Sequence, residues 1–102
     1  MKSPIALIAA LASVICLADA DEAEDVGTFY LNAYLEFERA EKAEKQGDRD
    51  EAIQLYLKSY DRIERIEDAH PDWRSEVVRY RLRKLREALL RLGVDIRKTR
   101  VG

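Results

Sequence analysis

The chain has 102 residues, and residues 1–20 differ in kind from the 82 that follow: they hold 15 of the 48 apolar residues and only two charges, Lys2 and Asp19. The remainder carries 17 Lys/Arg against 19 Asp/Glu. That length accommodates one small domain and excludes a two-domain enzyme with a deep cleft. Four Gly and two Pro are too few for a loop-rich or disordered chain, and the eight aromatics supply a core.

Residues 1–20 have the layout of a secretory signal peptide: Lys2 as a single-charge start, an apolar stretch over residues 5–17, then Ala18-Asp19-Ala20 as a small-x-small cleavage pattern. Thirteen residues at about 1.5 Å rise fall short of a roughly 30 Å hydrocarbon core, which disfavours a membrane anchor. Lipidation at Cys16 is disfavoured by the bulky Ile15 before it. Cleavage after Ala20 removes the single cysteine and leaves a chain without disulfide or thiol chemistry. The expected product is secreted or periplasmic.

In the rest of the chain, residues 21–27 read as an acidic leader, and Gly27, Gly47, Pro71 and Gly93 punctuate three helical segments. The first is expected over residues 28–46, with Thr28 as N-cap and Gly47 as the left-handed residue that ends it. Tyr30, Tyr34, Phe37, Ala40 and Ala43 share one face. The second is expected over residues 49–69. Asp48 and Glu51 have capping-box spacing, and Pro71 pushes His70 out of the helical region. Ala52, Tyr56, Ser59 and Ile63 form its stripe, widened by Ile53, Tyr60 and Ile66, which is broad enough for two neighbours. The third is expected over residues 75–92, where Val78, Leu82, Leu85, Leu89 and Leu92 make a seam that Val77 and Tyr80 broaden. Trp73 stands at the bend before it. Residues 94–102 show no period and read as a flexible tail. Short connections between similar rods predict an all-α, antiparallel packing, with one three-helix domain over residues 28–93.

The stretch from Gly47 to Ser59, with Ala52, Tyr56 and Ser59 after a Gly-Asp turn and Ala40 before it, resembles the middle of a tetratricopeptide repeat. The likeness spans about residues 33–71. Glu36, Arg39 and Ala43 stand where that family usually has a large aromatic, a Leu and a Tyr. His70-Pro71-Asp72-Trp73 followed by Arg79-Tyr80-Arg81 is similar to small exported bacterial proteins that have tetratricopeptide-like helices and no assigned activity. The resemblance implies a helical hairpin plus a third packing helix. It also implies a concave face lined by the first helix, which here means Tyr34, Phe37, Glu41 and Glu44. Two placements are open for Tyr34 and Phe37: in that groove, or beneath the third helix as core.

Charge is segregated. Residues 21–72 carry 7 Lys/Arg and 16 Asp/Glu, a net of −9, whereas residues 73–102 carry 10 and 3, a net of +7. Arg79, Arg83 and Arg86 run along one flank of the third helix. They are expected either to complement the acidic helices internally or to meet an acidic partner, a protein tail or an anionic surface. Nucleic acid is not expected, given the export signal and the net acidic chain.

Catalytic patterns are lacking in the sequence. His70 stands alone beside a helix-ending proline, and a metal site needs more His or Cys converging. Ser59 and Ser75, the serines that follow the signal segment, have structural explanations on an apolar stripe and at a helix start. Asp48-x-Asp50 lacks the glycine and later Glu of a calcium loop. The expectation is a non-enzyme without cofactor or metal that binds a protein or peptide. The alternatives are a self-associating envelope protein, for which head-to-tail contact of oppositely charged halves offers a route, or a basic helix that binds an anionic surface.

Overall fold

The computed structural model describes residues 25–97. The expected signal peptide, its cleavage after Ala20, Cys16, the start of the acidic leader and residues 98–102 lie outside the described residues. The described part is all-α. Helices α1 (Val26–Lys45), α2 (Arg49–Ala69) and α3 (Ser75–Arg91) follow one another with short connections, and α1 and α3 both pack against the central α2.

α1 starts two residues earlier than expected, capped by Asp25 without a side-chain bond, so Thr28 lies inside the helix. Gly27 is helical too. A Cβ on it would come within 2.8 Å of the Asp25 carboxylate. The partly buried Val26 and Phe29 account for the earlier start, since they draw the first turn onto the core.

α1 ends in a Schellman turn. Asp48 N–H donates to Ala43 O at 2.9 Å and Gly47 N–H to Glu44 O at 3.0 Å. This turn requires the positive φ of +82° at Gly47, which a residue with Cβ adopts only at a cost. Asp48 then accepts Glu51 N–H at 3.3 Å and starts α2. The reciprocal half of a capping box is absent because the Asp48 N–H is already used by the preceding turn. α2 occupies the expected residues and stops at His70, the residue before Pro71.

α3 ends as α1 does. Gly93 N–H donates to Leu90 O at 2.9 Å and Val94 N–H to Leu89 O at 2.8 Å. The turn sends the chain back toward the helix, so Ile96 is buried and Val94 packs against the core. The expectation of a loose tail therefore fails for its first residues. Arg49, at the start of α2, donates from Nη2 to Leu92 O, satisfying a carbonyl at the end of α3.

The α1–α2 contact is made by small residues. Ala33, Ala40 and Ala52 are fully buried, and the fully buried Ser59 donates its hydroxyl to Ala33 O at 2.7 Å. A side chain can reach the neighbouring backbone only where the helices approach closely. Tyr56, Tyr60, Ile63 and Ile66 of α2 meet Val78, Leu82, Leu85, Ala88 and Leu89 of α3 in the same core. Arg62 pairs with Glu36 at 2.9 Å and lies over the Phe29 ring at 5.5 Å, sealing the α1–α2 edge.

Candidate functional site

α1 and α3 lie side by side on α2 and run in the same direction, but long side chains rather than packed backbones join them. Arg81 of α3 holds its guanidinium 4.9 Å from the Tyr34 ring centre and 4.8 Å from that of Phe37, both on α1. Its Nε donates to the Tyr30 hydroxyl at 3.5 Å. Near the helix C-termini, Arg91 donates from Nε and Nη2 to the two Glu44 oxygens, each at 2.9 Å. At the opposite end the Tyr30 and Trp73 rings are 5.7 Å apart.

Glu44 also accepts the Tyr56 hydroxyl at 2.8 Å, so one carboxylate ties all three helices. The Arg91 hydrogen bonds hold its carboxyl below the usual carboxylate range, with a smaller contribution from Tyr56 against the opposing effect of burial. Burial, then the Glu44 carboxylate, push the Tyr56 hydroxyl far up. The Tyr34 hydroxyl is raised by the charge of Glu38 and by a hydrogen bond to it.

Between these ties the surface is apolar and open. A cavity of about 470 Å³ lies between the first turns of α1 and the start of α3, lined by Tyr30, Leu31, Tyr34, Trp73, Arg74 and Val77 among others. Leu31 is 52% exposed and Val77 41%, with Leu35 and Tyr80 also exposed nearby on the same two helices. Arg74 borders this cavity in a left-handed conformation, φ 39° and ψ 51°, a geometry that costs an L residue about 1–2 kcal/mol. Its guanidinium covers the Trp73 ring at 5.7 Å.

The four α1 residues that the sequence singles out do not form one open face. Phe37 is core, 7% exposed and held between the Tyr34 ring at 6.4 Å and the Tyr56 ring at 5.7 Å. Glu44 is engaged by Arg91 and Tyr56. Tyr34 is half-buried beneath Arg81, and Glu41 is exposed. The surface that does open between α1 and α3 is carried by Leu31 and Val77 with Trp73. Leu31 and Leu35 fall off the 30/34/37 stripe, and an aliphatic residue off the core stripe is the sequence signal that marks them. Arg79 and Arg83 are exposed and Arg86 half-buried, on the far flank of α3.

Among the described residues, no three His, Cys, Asp or Glu side chains gather as a metal site would need, His70 is exposed, and no helix is long and apolar enough to cross a membrane. The described residues form a small all-α unit of three helices. Comparison with models of known protein families, with curated proteins and with solved structures finds no match to this chain.

Proposed function

We propose that this chain is an exported, non-catalytic helical module of tetratricopeptide-like build that holds a protein partner in the seam between α1 and α3. The observation that carries this reading is the open apolar seam itself. Tyr30, Leu31, Tyr34, Trp73 and Val77 border a cavity of about 470 Å³, with Arg81 and Glu38 supplying polar groups beside it. Half-exposed Tyr and Trp beside aliphatic residues, edged by charge, is the composition from which interface hot spots are built. The tetratricopeptide-like build is supported by the Gly47-Asp48 turn joining antiparallel helices and by the burial of Ala40, Ala52, Tyr56 and Ser59 at the hairpin contact. In such a build α3 stands as the first helix of a following unit, and the seam falls on the concave side. Export rests on Lys2, the apolar stretch after it and Ala18-Asp19-Ala20.

The test is site-specific photocrosslinking in the cells that make the protein, with the crosslinker at Val77 and, as a control on the opposite side, at Lys58. The expected result is one discrete heavier species from Val77, absent from Lys58 and lost on Leu31→Asp. Equal products from both positions, or none from Val77, would remove the seam as a binding surface. A product of twice the chain mass would replace the partner by a second copy and favour self-association.

A further inference from the structure

A second surface lies on the flank of α3 that faces away from α1. Arg79, Arg83 and Arg86 align there at helical spacing. Among the described residues, none of the three is within ion-pair distance of a carboxylate. Arg83 rests over the Tyr80 ring at 5.3 Å, and Arg86 donates from Nη1 to the Tyr60 hydroxyl at 3.5 Å. These contacts orient the two side chains without neutralising them. The internal complementarity that charge segregation suggests is therefore met by Arg91 with Glu44, and not along this flank.

The turn after Gly93 makes this flank concave. It brings Ile96 back against α3, and a cleft of about 370 Å³ opens, with Arg83, Arg86 and Arg97 at its border and Leu90 and Ile96 as its apolar lining. Leu90 is 56% exposed, the most exposed large apolar side chain among the described residues. Two acids also border the cleft, and both have local partners: Glu87 pairs with Lys84 at 3.5 Å, and Asp95 accepts Arg97 N–H at 3.0 Å.

We propose that this cleft docks an acidic protein segment carrying an aliphatic anchor, its carboxylates on Arg83 and Arg86 and, beyond the cleft on the same flank, on Arg79, and its anchor against Leu90 and Ile96. Guanidinium groups hold carboxylates in two-pronged hydrogen bonds, and the apolar lining adds an attraction that salt does not screen. A concavity suits a protruding side chain, whereas a flat headgroup layer would not fill it. This surface is separate from the α1–α3 seam, and neither requires the other.

The test uses the full processed chain and two fluorescent synthetic peptides, one repeating Glu-Leu-Glu-Glu and one with Gln in place of every Glu, followed by anisotropy. The acidic peptide is expected to bind at least about tenfold more tightly than the Gln peptide. Arg79→Gln with Arg83→Gln is expected to erase that advantage, and Leu90→Ser to weaken binding about fivefold, with helicity by far-ultraviolet dichroism unchanged in each variant. Equal affinity for the two peptides, no binding, or full affinity in the double variant would overturn the proposal. So would binding confined to phosphatidylglycerol vesicles, or a sedimenting dimer dissolved by the same two substitutions, which would assign the cleft to a lipid surface or to a second copy.

Discussion

Where α1 meets α2, alanines and a buried serine let the backbones come close enough for Ser59 to bond Ala33 O, with the Phe37 and Tyr56 rings in contact beside them. Where α1 meets α3, the contact is made of arginine arms, Arg81 across the Tyr34 and Phe37 rings and Arg91 onto Glu44. Close packing leaves no accommodation for a change of volume. Long arms can swing, and they leave apolar groups such as Leu31 and Val77 at the surface. One side of α1 therefore fixes the fold, and the other presents a surface that the fold does not need.

That contrast can be broken most severely at Tyr56, which is fully buried. Tyr56→Ala should cost about 3–5 kcal/mol in urea unfolding, as for other large-to-small changes at packed aromatics. Ala40→Leu should cost about 1–3 kcal/mol by forcing α1 off α2. Leu31→Asp, on the open side of the same helix, should change stability by less than about 0.5 kcal/mol. If the two α1 substitutions cost the same, the distinction between the sides of α1 fails.

Glu44 sharpens the comparison, because it belongs to both sides. Glu44→Gln should cost about 1 kcal/mol at neutral pH, reflecting charged hydrogen bonds to a largely exposed Arg91. Since the folded chain holds this carboxyl below its ordinary value of 4.5, the unfolded chain binds the proton more readily. The stabilisation is thus complete above that ordinary value and is lost as pH falls through the folded one. Urea midpoints measured from neutral to acid pH should drop less steeply for Glu44→Gln than for the parent chain. Parallel curves would mean that Arg91 does not act through this carboxylate. A small effect of opposite sign is expected at the bend. Arg74→Gly removes the left-handed strain at the cost of the Trp73 contact, and a net gain of about 0.5 kcal/mol in thermal unfolding follows.

Much of the fold was legible from the sequence because local and tertiary signals agree in α2 and α3. Asp48, Gly47 and His70-Pro71 mark ends where the backbone has few choices, and Val78, Leu82, Leu85 and Leu89 are buried at the positions their period gives. The start of α1 was misread because Gly27 and Thr28 carry break and cap signals that burial of Val26 and Phe29 overrides. Ile96 was missed because a single apolar residue after a turn has no period to reveal it. The candidate groove was only half legible. Family likeness drew attention to Phe37 and Glu44, but which of two helices covers a side chain is a tertiary fact. Arg81 and Arg91, whose reach from α3 onto α1 decides the matter, look like ordinary surface charges in a linear chain.

Arg49 and Arg91 fasten the same end of the molecule, the first to the last turn of α3 and the second to Glu44 near the end of α1. Tyr30 and Trp73 meet at the far end, without an ion pair between them. The two rods are thus fastened by charge at one end and by ring contact at the other, so added salt acts on the first fastening and leaves the second in place.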